Sequence, residues 1–598
     1  MATFNPEIKN RLADLRQQMS KLGMNAFVIP LTDEHQSEYV AGYAQRLAWL
    51  TGFLGSAGFA IVTLDKAAVF VDGRYTIQVV DQVDQNLFEH CHFAAGTPIK
   101  WLCDNIGADH VVGFDPFLHT QPWVNDAQKK LESVGAVLKP VNKNPIDMVW
   151  GDQPTEPNKP VVAQPLEYSG KVSSEKREEI AQLLKEQGAE VAVLTALDSI
   201  AWVLNIRSED VLNTPVSLAF ATIHDDATAT LYIDPLKVDD NLRKHLGNAV
   251  EVRDKNKFID SLSGIGAAGK RVLLDPATSS AAVFMSLKSS GAKIVNGMDP
   301  CALPKSRKNL VEQEGARTAH VRDGAAVSEF LYWLSIEAPK GELDELSAAA
   351  KLQSIREKGD IFKDLSFRTI SAAGPNGALC HYSVSEETNL PIELNSIYLV
   401  DSGGQYLDGT TDITRTIAVG TPTAEQKDRF TRVLKGHIAI ATALFPKGTT
   451  GSQIDALARK PLWDVGLDYD HGTGHGVGSY LAVHEGPGRI ANSPNTVALE
   501  AGMIFSDEPG YYKAGEYGIR IENLVLIKDV ETTGDREMLG FETLTLAPID
   551  HHLIETSLLT TEELAWLNDY HARVYAEISP LVSGDTKAWM KGATAALT

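Results

Sequence analysis

Cysteine is nearly absent: four residues, Cys91, Cys103, Cys301 and Cys380, in a chain of 598, with no C-x-x-C pair among them. That argues against a disulfide framework and a cysteine-rich zinc site, and it points to a reducing, cytoplasmic compartment. Long apolar runs are missing too. No window approaches the about 20 apolar residues of a spanning helix, and the opening MATFNPEIKNRLADLRQQM lacks the apolar centre of a signal peptide. The expectation is a chain neither exported nor embedded in a membrane. Positive charge is in deficit, 55 Lys and Arg against 78 Asp and Glu, a formal charge of -23. General attraction to nucleic acid or to anionic lipid is therefore disfavoured.

What is present is a globular composition, 43% apolar and 22% charged, able to build sizeable cores. Division by about 150 residues per domain suggests four domains, but the pattern along the chain favours three. Asn5 and Pro6 open a helix carrying Ile8, Leu12, Leu15, Met19 and Leu22 at three- and four-residue spacing, and Gly23 ends it. The apolar run 25–30 then reads as a buried strand, with further strands at 59–62 and 68–71. This is an α/β domain, expected over 1–158, because six prolines between Pro140 and Pro165 mark an extended linker. After the linker the pattern returns, with Ser174 as cap, a helix through Ile180, Leu183 and Leu184, Gly188 as terminator, and the strand Val191-Ala192-Val193-Leu194. Leu47-Ala48-Trp49-Leu50 likewise matches Ile200-Ala201-Trp202-Val203, both tryptophans being read as core. The repeat predicts a second domain of the same kind over 159–307; two unrelated helix and strand pairs are the alternative.

A third domain is expected over 308–550. Asn309 and Glu312 form a capping box that opens a long helix to about Ser335. Helices near 343–358, 423–443 and 452–465 follow, with strand pairs near 396–418 and 502–528. Long helices beside antiparallel strands make this domain α+β. Thr560 and Glu563 cap a last helix with Leu564, Leu567, Val574 and Ile578, stopped by Pro580, and 551–598 reads as an appended C-terminal extension.

Acidic residues stand inside the apolar strand patterns of this third domain, where an unpaired charge is costly. One expected hairpin joins Ser396 through Asp401 to Thr411 through Arg415 and offers Asp401 and Asp412. The other joins Met503 through Glu508 to Gly518 through Glu522 and offers Glu508 and Glu522. Four converging carboxylates repel one another, and two divalent cations would balance them. Mostly oxygen donors favour a hard ion such as Mn²⁺ over thiolate-bound zinc. A neutral imidazole is expected from Asp470-His471-Gly472-Thr473-Gly474-His475-Gly476. His471 and His475 are four apart, yet the glycines disfavour helix and the glutamate of H-E-x-x-H is missing, so a zincin is disfavoured. Dinucleotide binding at the loose glycine pattern is disfavoured for want of a clear strand, loop and helix unit. Arg520 stands two residues before Glu522 on an expected strand, so both face one side and Arg520 is placed to hold a carboxylate. Asp408-Gly409 reads as a turn.

The order Asp401, Asp412, His475, Glu508, Glu522, spaced by 11 between the aspartates and by 14 between the glutamates, resembles the metal-site pattern of the creatinase/methionine aminopeptidase superfamily. LVDSGGQYLDGTTDITRT, HGTGHGVG, VHEGP, DEPGYY and GIRIEN, with LTGFLGSAG and FVDGRY near the start, are more closely similar to the three-domain, cytosolic aminopeptidase P family of Xaa-Pro aminopeptidases (peptidase family M24B). The resemblance implies two creatinase-like N-terminal α/β domains ahead of a pita-bread catalytic domain. It implies a cytoplasmic, homodimeric metallopeptidase with two divalent ions, manganese for preference, that removes the N-terminal residue from peptides with proline second, by attack of a hydroxide bridging the two metals.

Carried over by that resemblance, Asp401 chelates one metal, Asp412 and Glu522 bridge both, and His475 and Glu508 hold the other. Glu508 also serves as general base, His484 stabilises the oxyanion, and His381 contacts substrate near the scissile bond; His475 and Glu508 border the substrate as well. Arg74 either reaches substrate from the first domain or pairs with a neighbouring acid. His471 either stands behind the ligands or supports the glycine loop. A prolidase, cleaving Xaa-Pro dipeptides, is the main rival. A methionine aminopeptidase fits less well because that fold needs no preceding pair of domains, and a catalytically silent peptide-binding protein is the reading from another class.

Overall fold

In a computed structural model, which describes residues 5–598, the opening helix Glu7–Lys21 buries Ile8, Leu12, Leu15 and Met19 on one stripe. Asn5 Oδ1 accepts from the Glu7 N–H, and Gly23 leaves the helix at φ 68°. Six strands follow in the spatial order Glu89–His92, Ala67–Val71, Phe59–Thr63, Ala26–Pro30, Val111–Phe114, Val137–Pro140. A second sheet repeats that order with Val250–Arg253, Ala229–Tyr232, Phe220–His224, Val191–Leu194, Arg271–Leu274 and Lys293–Asn296. The directions match as well: Ala26–Pro30 and Val191–Leu194 each run antiparallel to one neighbour and parallel to the other.

The repeat extends to a side-chain pair. Arg11 and Lys176, each twelve residues ahead of a helix-ending glycine, lie over Trp49 and Trp202 at 5.0 and 4.5 Å. Each cation also donates to the carbonyl oxygen of its tryptophan. Both sheets belong to one compact unit made of residues up to Gln164 with Lys171–Ala302. Two local expectations need correction. Ser174 does not cap its helix; Ser173–Glu186 begins after Val172, and the Ser173 hydroxyl donates instead to Val203 O. The proline-rich stretch is not wholly a free linker, because Ile146 and Trp150 sit in the first core, Trp150 stacking on Trp49 at 5.3 Å.

The second unit comprises Pro165–Gly170 and Leu303–Thr598. Its long helix Leu310–Glu337 starts at the Asn309/Glu312 capping box, and Ala424–Ala441 and Gly451–Trp463 begin at capping boxes of their own. Ile370–Ala373, Ser396–Ser402 and Ile413–Val419 make a three-stranded sheet. A six-stranded sheet runs Phe445–Pro446, Met538–Thr543, Asn523–Val530, Ile504–Asp507, Gly474–Gly476, Glu485–Ile490. The architecture is thus α/β followed by α+β, as expected. No helix among the described residues is long and apolar enough to cross a membrane, and all four cysteines are free thiols.

The C-terminal extension 551–598 is packed into the core of the second unit. Leu567, Tyr570, Val574, Ile578 and Met590 share one core with Ile397, Phe430 and Ile519. The tail helix Thr561–Ile578 is capped by Thr560 and Glu563 as expected, while a further helix, Gly584–Ala593, was missed. Glycines at its first position and near its end weaken the helical signal there. The tail also completes a polar site: Tyr570 OH accepts from the buried Arg415 guanidinium at 2.9 Å.

Leu567 is fully buried, so Leu567→Ala is expected to cost about 2–5 kcal/mol, read from the urea midpoint of the second unit. His571 is buried with its Nε2 accepting from the Ile549 N–H. Burial, aided by His551 and Arg415, pushes its pKa from 6.5 down to about 3. A histidine depressed in this way contributes stability above its unfolded value and loses it as pH falls from 6.5 toward 3. His571→Gln is therefore expected to show a shallower loss of stability between pH 6.5 and 4 than the unchanged protein, measured by urea unfolding at each pH.

Candidate metal centre

Two strand pairs deliver the acids. Asp401 stands in Ser396–Ser402 opposite Thr414, and Asp412 immediately precedes the partner strand Ile413–Val419. Glu508 and Glu522 lie just beyond the rung that joins Asp507 to Asn523, where Ile504–Asp507 pairs with Asn523–Val530. This register corrects the second expected hairpin, because 518–522 is not the partner of 503–508. Tyr517–Arg520 pairs instead with Gly510–Lys513. The buried run Leu524 to Ile527 gives Ile504–Asp507 the longer apolar partner, and Gly518 is pressed against Gly377, whose carbonyl oxygen would meet a Cβ there at 1.7 Å. The two glutamates still converge because both chains leave the same rung.

His475 arrives on Gly474–Gly476, between Ile504–Asp507 and Glu485–Ile490. The glycines around it serve that close approach. A Cβ at Gly474 would lie 1.9 Å from Ser506 O, and one at Gly476 2.3 Å from Glu485 O. His475 Nδ1 donates to Gly476 O at 2.9 Å, which leaves Nε2 to face the acids. Nε2 stands 3.5 Å from Asp412 Oδ2 and 3.7 Å from Glu508 Oε1. One ligand atom each from Asp412, His475 and Glu522 falls within 4.8 Å of the others.

The electrostatics fit a cation site. Asp401 Oδ1 and Asp412 Oδ1 are buried without a hydrogen-bond partner, a rare condition for carboxylate oxygens that have no other task. Burial, with Asp412 and Glu508 adding to it against the pull of Arg520, pushes Asp401 up to about 7. Burial and the three other acids raise Glu522 well above the usual carboxylate range, and burial raises Glu508. Burial opposes a charge on His475, but Asp412 and Glu508 overcome it and carry its pKa up to about 9. Divalent cations set among these four acids and one imidazole would relieve the repulsion that raises them.

Arg520 holds the ring of acids, though through Asp401 and not through its expected face-mate Glu522. Its Nη2 donates to Asp401 Oδ2 at 2.6 Å, its Nε to Thr414 Oγ1 at 3.1 Å, and its Nη1 to Tyr512 OH at 2.6 Å. Thr414 passes its own proton to Glu522 Oε2 at 2.7 Å. Tyr512 OH reaches His471 Nε2 at 2.8 Å, and His471 Nδ1 donates to Gly472 O. His471 therefore both stiffens the glycine loop and joins the ligands through Tyr512 and Arg520.

The His484 ring stands edge to face with that of His475, centroids 4.3 Å apart. His381 follows the 3-10 turn Gly374–Ala378 and lies between the buried Cys380 and Tyr382. That segment adjoins the site where Gly377 meets Gly518 and where the Cys380 thiol bears on Tyr512. Arg74 lies in the first unit, paired with Asp72 at 2.8 Å and over the Tyr75 ring at 5.2 Å. Asp408 is more than a turn residue: both its carboxylate oxygens accept from Arg322.

Three supporting residues escaped the sequence reading. Glu345 is fully buried and accepts from Ala373 N–H at 2.7 Å, Leu390 N–H at 3.0 Å and Tyr382 OH at 2.9 Å, which fastens the segment bearing His381. Its place in the first turn of a helix makes it look like a dipole partner. Arg415 donates to Glu522 O and Asn523 Oδ1. Arg459 donates to Asp455, Tyr469 O and His471 O and so holds the glycine loop; the i,i+4 spacing of Asp455 and Arg459 was the available signal.

Comparison with known proteins matches 314–529 to Metallopeptidase family M24 and 537–597 to its C-terminal region. Residues 11–146 and 152–312 each match the Creatinase/Prolidase N-terminal domain. A probable Xaa-Pro aminopeptidase P of Aspergillus fumigatus is 43% identical over 98% of this chain and 92% of its own length. One of Coccidioides posadasii is 42% identical over 98% of this chain and 99% of its own. Among solved structures, the X-prolyl aminopeptidase of Caenorhabditis elegans, described as a cytosolic enzyme with a di-nuclear active site, superimposes with a TM-score of 0.94 at 35% identity, covering 99% of this chain and 100% of that one.

Asp412→Ala and Glu522→Ala are each expected to abolish retention of divalent metal, read as metal per chain by mass spectrometry after saturation and desalting. A variant that keeps the metal content of the unchanged protein would remove that residue from the ligand set.

Proposed function

The chain belongs to the metallopeptidase family M24, and we propose that it is an Xaa-Pro aminopeptidase, removing the N-terminal residue from peptides whose second residue is proline. The observation that carries this reading is the convergence of Asp412, His475 and Glu522, with Asp401 and Glu508 beside them, in a chain similar over its whole length to aminopeptidases P. A complete ligand set argues against a silent peptide-binding protein, and the full-length relatives argue against a prolidase.

Two divalent ions would be held by Asp401, Asp412, His475, Glu508 and Glu522. When bound, they neutralise the acids and acidify a water molecule so that a nucleophile is available near neutral pH. We take the metal to be manganese, since four of the five expected donor residues are hard carboxylates and one is an imidazole. The residues of the chain do the rest. Glu508, whose proton affinity is raised by burial, accepts a proton from the nucleophile and passes it to the leaving proline nitrogen. His484 donates to the scissile carbonyl oxygen as charge builds there. The bond before proline has no N–H of its own to offer as a handle, and His381 is assigned to contact the substrate near the scissile bond. Arg520 favours the ionised form of Asp401 and holds it in place, and Arg74 is kept as a substrate contact. The free thiols support a cytoplasmic location, and a homodimer is the assembly we favour.

The test is a peptide panel assayed after chelation and reconstitution with Mn²⁺, Co²⁺ or Zn²⁺. Cleavage of Xaa-Pro-Yaa and Xaa-Pro-Yaa-Zaa at the first bond, restored best by Mn²⁺, is expected. Preference for the dipeptide Xaa-Pro would make the protein a prolidase, and metal-independent turnover would end the proposal.

A further inference from the structure

A fifth buried acid stands beside the ligands. Glu485 opens the strand Glu485–Ile490, and its carboxylate takes one lysine on each oxygen: Lys305 Nζ donates to Oε1 at 2.9 Å, and Lys308 Nζ donates to Oε2. None of the three residues is more than 4% exposed. Two lysine Nζ groups thus converge on one buried carboxylate. Glu312, also buried, bears on Lys308 as well, and its Oε2 accepts from the Asn309 N–H of the capping box. Buried ion groups are poor sources of stability compared with apolar packing, and such a cluster is better understood as fixing a geometry.

What it fixes is visible in its neighbours. Glu485 pairs across the sheet with Gly476, the residue after His475. It directly follows His484, whose ring meets that of His475 edge to face. The lysines are anchored in turn. The Lys308 N–H bonds Gly502 O at 2.9 Å, just ahead of the strand that leads to Glu508, and Lys308 O accepts from Gln313 Nε2 at 2.7 Å on the long helix. The start of that helix, the approach to Glu508 and the chain around His484 therefore meet at one carboxylate.

We propose that Lys305, Lys308 and Glu485 form a positioning cluster that fixes the backbone at 484–485 and thereby aims the His484 ring at the substrate carbonyl. The cluster touches no substrate; it acts through His484, and so the inference rests on the role given to His484 above. A purely structural cluster would affect stability and leave the reaction untouched.

Lys308→Met is the informative variant, because it keeps the Lys305 and Glu485 pair and fills the buried site with a chain of similar length while removing the second tie to Glu485; an unchanged urea midpoint shows that it folds. Its kcat on an Xaa-Pro-Yaa peptide is expected to fall roughly 10- to 100-fold, the size of effect that about an ångström of misplacement produces. KM and bound metal stay unchanged. Combined with His484→Ala, it is expected to cost no more than His484→Ala alone, as for residues that act through one another. A crystal structure of the variant shows the His484 ring displaced from its contact with His475. Additive losses in the double variant, or an unmoved His484 ring, overturn the proposal. Unchanged kcat in His484→Ala together with a displaced ring in Lys308→Met sinks the catalytic role of His484 while upholding the positioning cluster, so the two failures are told apart.

Discussion

Four carboxylates buried together repel one another, and the second unit is built around that repulsion. Burial first, and the neighbouring acids with it, raise the pKa of three of them, and Asp401 reaches about 7. Such a cluster persists only where positive charge is fixed beside it. Arg520 supplies one fixed charge through Asp401, His475 supplies an ionisable one, and the orphaned oxygens of Asp401 and Asp412 face where divalent cations would complete the balance. The acids are held so that they cannot relax away from one another: Thr414 holds Glu522, and Ser506 donates to Glu508 Oε1 at 3.3 Å.

That demand explains features that otherwise look unrelated. Each pair of acids sits at the end of an antiparallel pairing, where the ladder sets the direction of the side chain. The glycines around His475 let three strands approach closely enough for its imidazole to enter the ring of acids. Arg415, fully buried, spends its donors on carbonyls and side chains from Thr414, Glu522, Asn523, Ala547, Pro548 and Tyr570. The C-terminal tail is therefore tied through Arg415 to the backbone of Glu522.

Much of this was legible in the chain. The capping boxes at Asn309 and Thr560 placed two helices correctly because capping depends on residues three apart. The repeat was visible from a helix, a glycine, a strand and a tryptophan, and the structure extended it to whole sheets and to the matched Arg11 and Lys176 contacts. The partner of Ile504–Asp507 was not legible. Two apolar runs competed for it, and packing of Gly518 against Gly377 decided between them. The helix Gly584–Ala593 was missed since glycines mask a pattern that burial of Met590 makes real.

The sequence by itself determined which groups meet in the site, because the need to offset buried charge ties acids, imidazole and glycine spacing to one chemistry wherever the chain places them. Only the tertiary structure decided how they are held. Arg520 grips Asp401 across 119 residues, Glu345 fastens the segment of His381, and Lys305 with Lys308 converge on Glu485 across 180 and 177. Those pairings depend on strand register and on which surfaces exclude water together, and no local spacing in the chain carries that information.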